Sequence, residues 1–318
     1  MNLPVAITRN LRPIHFLPLL CVMLITPHKS ATAEPLKINN GDRIVFVGAT
    51  FIERDGRYGC IEALFTSQFP DYNLTFRNLG WSGDNVFGIA RASFDSIARG
   101  YERLIAQANE AKPNVLLMSY GQNESFKGRA GLDEFITGYT KLLDDLASTN
   151  ARFVLVSPTL QENMGAPLPD PTTHNADIAL YTEAIRALAK KQDIPFVDMT
   201  KLLPISNKIP KNPRTDNGLH FTEEAYWEVA RLLLEGLGYN VSKPDRKKLD
   251  PLRKTIIEKN RIFFNKWRPQ NATYITGFRK HEQGRHVAEF PLFDPLIEEQ
   301  EAKIAALRLE LATKGGTR

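Results

Sequence analysis

The feature that most constrains this chain is an alternation. Short apolar runs at RIVFVG (43–48), NLTFRNLG (73–80), NVLLMSYG (114–121), RFVLVSP (152–158) and PFVD (195–198) are separated by segments of helical period at 58–69, 97–111, 132–148 and 176–191. A last helical segment covers 223–236. Such runs are too apolar for burial on one side only, which predicts parallel strands covered by helices on both faces. Right-handed crossovers then give an α/β fold, a three-layer αβα sandwich. In open parallel sheets, ligands bind beyond the carboxyl ends of the strands. The residues that follow each run are therefore the ones that carry chemistry.

A chain of 318 residues, 42% hydrophobic and 24% charged, has the composition of an ordinary globular protein with a self-sufficient core. The net charge of +5 comes with Lys and Arg concentrated in the last quarter. No repeated basic helix, zinc spacing or aromatic RNA-binding signature accompanies it, so a solvated basic face is expected and no nucleic-acid partner. Residues 1–33 read as a signal peptide. Arg9 and Arg12 precede a short apolar stretch at 16–25, and Ala31-Thr32-Ala33 supplies a small-x-small cleavage pattern with cleavage after Ala33. A secreted or periplasmic location without stable membrane insertion is expected. Cleavage would remove Cys21 and leave Cys60 as the single cysteine, in an apolar helical stretch where a core role is expected.

The domain reading is a main domain at 34–242 and a basic, mainly helical C-terminal extension at 243–318. The extension is helical over 249–267, polar and irregular over 268–286, and strongly helical over 294–311. In that last helix Leu296, Ile297, Ile304, Leu307 and Leu311 have the spacing of a packing face or an oligomer contact. The Pro-rich loop 159–175 follows the fourth strand and is expected to face substrate, with His174 an exposed loop histidine.

The strand-end groups, in chain order, are Gly48-Ala49-Thr50, Asn78-Leu79-Gly80, Gly121-Gln122-Asn123-Glu124 and Asp216-Asn217-Gly218-Leu219-His220. On these groups, and on RNLGWSGDN, SYGQNES and TDNGLHFTEEAYWEVA, residues 41–238 resemble the SGNH/GDSL hydrolases, esterases with a parallel flavodoxin-like sheet. The resemblance implies Thr50 as nucleophile and His220 as base, with an oxyanion hole from the Thr50 and Gly80 N–H groups and the Asn123 side chain. Ester hydrolysis needs such a set: a nucleophile, a group to take its proton, and donors aimed at the developing oxyanion. It implies a small-molecule or glycan ester as substrate, and no cofactor.

This chain departs from the family pattern at several positions. Thr50 replaces Ser, Ala49 replaces Asp, Glu124 replaces Asp, and Asn217 stands three residues before His220 with Asp216 one step further back. Either Asp216 or Asn217 is expected to orient the imidazole. A catalytically inactive ligand- or glycan-binding relative is the second reading. Among substitute nucleophiles, Ser82 lacks a G-x-S-x-G elbow, and Ser119 and Ser125 have no evident base in the sequence. His281 and His286 do not share a helical face, so no metal is expected. Trp81, Trp267, Tyr274 and Phe278 have the chemistry to stack on sugar rings, and packing is the expected role for each.

Overall fold

A computed structural model describes residues 36–315 of the chain; the predicted leader, 1–33, lies outside the described residues. Five strands, β1 (Arg43–Gly48), β2 (Thr75–Asn78), β3 (Val115–Ser119), β4 (Arg152–Val156) and β5 (Phe196–Val197), pair in the order β2-β1-β3-β4-β5. Every pairing is parallel, with Ile44 opposite Phe76 and Val115, and Leu117 opposite Val154. The order reverses between β1 and β3, which opens a crevice at the carboxyl end of the sheet.

Successive strand residues point to opposite faces, and both faces are buried. Ile44, Phe46, Val115, Leu117, Val154 and Val156 meet one helical layer, while Val45, Val47, Leu116, Met118 and Leu155 meet the other. The second layer is α3 (Ile97–Glu110), α4 (Leu132–Leu146) and α5 (Thr172–Lys191), through residues such as Leu104, Phe135, Tyr139 and Tyr181. The first layer is α1 (Thr50–Tyr58), α2 (Cys60–Gln68) and α7 (Glu223–Gly236), joined by α8 (Arg246–Trp267) and α11 (Phe293–Gly315). Short helices α6 (Met199–Leu202), α9 (Ala272–Ile275) and α10 (Lys280–Gln283) complete the connections.

The helical period at 58–69 corresponds mainly to α2, which a sharp break separates from α1. Gly59 lies between them with φ 64°, a left-handed conformation that a side chain disfavours. Cys60 is buried just after this break, and burial pushes its thiol well up. Helix α5 begins earlier than its apolar period suggests, so His174 belongs to its first turn.

The C-terminal extension contributes Leu249, Leu252, Ile256 and Ile304 to the same core as Ile44 and Phe46. Ile297 is also buried, and Leu307 and Leu311 pack against this core, so most of the apolar spacing of α11 is used within the chain; Leu296 is exposed. A buried ion pair fastens α8 to α2: Lys259 Nζ lies 2.5 and 2.7 Å from the two Glu62 carboxylate oxygens and donates to the Phe76 carbonyl at 3.2 Å. No described helix is long and apolar enough to cross a membrane.

Candidate active site

Helix α1 starts immediately after β1, with Ala49 at its N-cap and Thr50 its first residue. Ala49 has no side-chain oxygen, so the first-turn N–H groups of α1 receive no cap from it. Thr50, Arg54, Gln122, Asn123, Leu219 and His220 line one cleft of about 30 Å³ at the carboxyl end of the sheet. The walls are Phe51, Pro158, Phe221 and Tyr226, the last fully buried with its hydroxyl donating to the Phe51 carbonyl at 2.7 Å.

Thr50 Oγ1 accepts the Gly83 N–H at 3.3 Å, which leaves its own proton free to be donated. Asn123 Nδ2 donates to the Asp84 carbonyl at 2.6 Å, and a primary amide has a second hydrogen to offer. Gly80 is not among the residues that line this cleft: its N–H donates to Asn78 Oδ1 at 2.9 Å, and it lines a neighbouring pocket beside α1 and α8. Its close packing explains the glycine, because a Cβ there would stand 2.3 Å from the Glu53 nitrogen.

The two candidates to orient His220 separate cleanly. Asn217 Oδ1 accepts the Leu219 and His220 N–H groups at 3.1 and 2.9 Å, which turns its Nδ2 toward His220 Nδ1 at 3.3 Å. An amide donor facing Nδ1 requires a lone pair there and puts the imidazole proton on Nε2. Asp216 instead pairs with Arg54, Oδ2 to Nη2 at 2.7 Å, although its N–H donates to the His220 carbonyl at 2.8 Å. Burial and then the Arg54 charge hold His220 below its ordinary pKa, with Asp216 acting in the opposite direction.

Glu124, at the position of the family's Asp, is buried and turned away from the cleft. Its two carboxylate oxygens accept the Val86 and Gly121 N–H groups at 3.0 and 2.9 Å, tying the third strand-end loop to the second. Burial raises it to about 7, against the pull of those backbone donors. Beneath it lies the buried Asp84–Arg91 pair at 2.7 Å, with Arg91 also donating to the Leu79 carbonyl and Gln107. Burial raises Asp84, and Arg91 opposes that shift.

Ser125 and His174 correct the sequence reading. The imidazole is partly buried, stacked on Phe126 at 3.8 Å, and its Nε2 lies 2.9 Å from Ser125 Oγ. Ser125 thus has a histidine partner, but it is fully buried and donates to the Gln122 carbonyl at 2.8 Å, a contact that holds the loop. Ser82 is bound through its N–H to Glu53 at 2.7 Å and lies outside the cleft lining, whereas Ser119 is part of it. Trp81 packs against Trp267 and under Arg268, whose guanidinium is 3.9 Å from its ring centre. Tyr274 is covered by Arg279, and Phe278 is exposed against Phe94. His286 pairs with Glu289 at 2.6 Å, and no group of three metal-binding side chains occurs among the described residues.

Arg54 and Gln122 are cleft residues that the sequence motifs do not single out. Arg54 had one available signal, since it stands four residues after Thr50 and so on the same face of a helix that begins there. Gln122 had none beyond its place next to Asn123.

A parallel sheet whose carboxyl edge gathers a hydroxyl, an imidazole and an amide is the layout of an acyl hydrolase. The chain belongs to the GDSL-like lipase/acylhydrolase family, whose model matches residues 41–227. It is an esterase-type hydrolase by class. Among curated proteins it is 25% identical over 203 residues to a GDSL esterase/lipase of rice, Oryza sativa subsp. japonica, covering 54% of this chain and 76% of that protein. Among solved structures, an acetylxylan esterase of Geobacillus stearothermophilus is 18% identical at a TM-score of 0.47, covering 64% of this chain and 98% of that one. A GDSL-like lipase of Bacteroides thetaiotaomicron is 19% identical at a TM-score of 0.44, covering 62% and 88%.

Proposed function

We propose that this protein is an exported hydrolase of small or glycan-borne esters, with Thr50 as nucleophile and His220 as its base. The observation that carries this reading is that Thr50, Asn123 and His220 line one cleft. Thr50 Oγ1 attacks the ester carbonyl and passes its proton to His220 Nε2; the alcohol leaves with a proton, and water releases the acyl group. The developing oxyanion is held by the Thr50 N–H and Asn123 Nδ2, with the Gly80 N–H joining only by exchanging Asn78 Oδ1 for it. The base role requires the imidazole proton on Nδ1, so His220 must exchange tautomer or be reoriented by Asp216 before it acts. Export is read from the pattern of residues 1–33.

The Asn217 amide favours a second reading, a ligand-binding relative that no longer turns over. In a serine-protease triad, Asp to Asn lowers turnover about 10⁴-fold through the wrong tautomer, and Asn217 Nδ2 imposes the same tautomer here.

Hydrolysis of p-nitrophenyl acetate tests both. Under the hydrolase reading, Thr50→Ala and His220→Ala each lose turnover by at least on the order of 10²-fold, and Thr50→Ser retains or raises it. Rates unchanged by either alanine reject the Thr50–His220 pair. A wild type at background that gains activity as Thr50→Ser supports the binding relative.

A further inference from the structure

Two side chains that line the cleft keep a buried donor without a partner, Arg54 and Gln122. Arg54 Nη2 donates to Asp216 Oδ2 at 2.7 Å, and longer contacts of 3.3 and 3.4 Å reach the Tyr58 hydroxyl and the Phe221 carbonyl. Arg54 Nε, on the same edge of the guanidinium, is buried and has no hydrogen-bond partner among the described residues. The pairing is therefore single-contact on an edge built for two parallel bonds to a carboxylate. Gln122 repeats the pattern. Its Oε1 accepts the Thr159 N–H at 3.2 Å, which fixes the amide's orientation, and its Nε2 is buried without a partner. Both buried side-chain atoms left unpartnered on the residues lining this cleft are thus donors.

Asp216 is weakly placed to keep Arg54. Its side chain is 54% exposed while that of Arg54 is 16% exposed, so water reaches the carboxylate but hardly the guanidinium. Half-exposed single-contact ion pairs are weakly held, and a carboxylate arriving with both oxygens on Nε and Nη2 would displace it.

We propose that Arg54 makes this cleft selective for esters that carry a carboxylate, which binds the Nε/Nη2 edge of the guanidinium in place of Asp216. This rests on the hydrolase reading above and narrows its substrate class. Binding positions the ester beside Thr50, the first residue of the same helix, and Gln122 Nε2 offers a further donor to the bound oxygens. The displaced Asp216 carboxylate, still tethered through its N–H to the His220 carbonyl, then stands without its counter-ion next to the imidazole.

Matched ester pairs on the full-length mature chain test this and show which half of the ester carries the charge. The acyl-side pair is p-nitrophenyl hydrogen succinate and p-nitrophenyl butyrate; the alcohol-side pair is 4-acetoxybenzoate and phenyl acetate. The expected result, corrected for uncatalysed rates, is at least a tenfold higher kcat/KM for the charged member of one pair. Arg54→Gln should bring that ratio to near unity, and Arg54→Lys, which keeps charge without the fork, should restore only part of it. Parity in both pairs with wild type, or a preference that survives in Arg54→Gln, overturns the proposal. Direct binding of succinate and benzoate, followed by calorimetry, is independent of turnover. If every ester proves inert, the hydrolase reading fails, while binding weakened at least tenfold in a folded Arg54→Gln variant still upholds the anion site. Absent binding, or equal binding by wild type and that variant, rejects the site itself.

Discussion

His220 has two neighbours able to orient it, and the one that faces its ring is a neutral amide. Asn217 anchors its oxygen on two backbone N–H groups and so presents a donor to Nδ1. Asn217→Asp keeps that acceptor and replaces the donor by a second acceptor, which favours a proton on Nδ1 and a free Nε2. We expect this variant to hydrolyse p-nitrophenyl acetate at least about tenfold faster than wild type, within the span set by the wrong-tautomer penalty; a slower variant rejects the tautomer argument. The acid limb follows from charge. A base works only when neutral, and burial and Arg54 hold His220 below its ordinary 6.5, so kcat/KM should fall off only below that pH. Removing a cation that disfavours protonation raises the pKa, so Arg54→Gln should move the limb upward, and Asp216→Asn should move it downward. A pH–rate profile reads both shifts, and movement in the opposite sense would refute the assignment.

Among elements, the junction of α2 with α8 is the sharpest test of how the extension is held. Lys259 and Glu62 are buried together, and the second carboxylate oxygen and the Phe76 carbonyl complete the ammonium's contacts. Burial raises Glu62 and the adjacent Lys259 opposes it. Removing one partner of such a pair costs about 3–5 kcal/mol, whereas replacing both by apolar groups is often neutral. Lys259→Met is therefore expected to destabilise by that amount at neutral pH, and Glu62→Leu/Lys259→Met to recover most of it in urea unfolding. Helix boundaries were partly legible. Period and length indicate α3, α4, α7 and α8 to within a few residues, because each buries one stripe against the sheet. The separation of α1 from α2 was not, because it depends on the left-handed Gly59 and on α8 packing across it; a Cβ there would stand 3.0 Å from Ile256.

For the whole molecule, the extension and the sheet share one core. Leu249, Leu252 and Ile256 are each no more than 5% exposed, and burial of such side chains stabilises by about 1.5–3 kcal/mol each. A chain ending at residue 242 should therefore lose its cooperative thermal transition or precipitate. A soluble fragment with an unchanged melting temperature would show that the extension is dispensable. Ending the chain before α11 removes Ile297 and Ile304 from the fold, and a lowered melting temperature without a change of oligomeric state in light scattering is the result expected of an intramolecular role.

What the residues alone determined is the class of fold and the places where chemistry belongs. Two-sided apolar runs separated by helices leave a parallel sheet as the arrangement that buries them, and its carboxyl edge is where strand-end residues converge. Three of the four groups were legible for the same reason, each standing directly after a run, while the fourth, 216–220, stands just before the last helix of the main domain and was legible through the family pattern. Only tertiary structure decided how those groups divide the work. It carries the Gly80 N–H to Asn78, sets Asn217 rather than Asp216 against the imidazole, and brings Arg54 into the cleft to hold Asp216. It also gives Ser125 a histidine that lies 49 residues away in the chain. Those outcomes depend on hydrogen-bond partners that are distant in the chain or compete within one turn. Differences of a few ångströms decide that competition, and no periodicity records them.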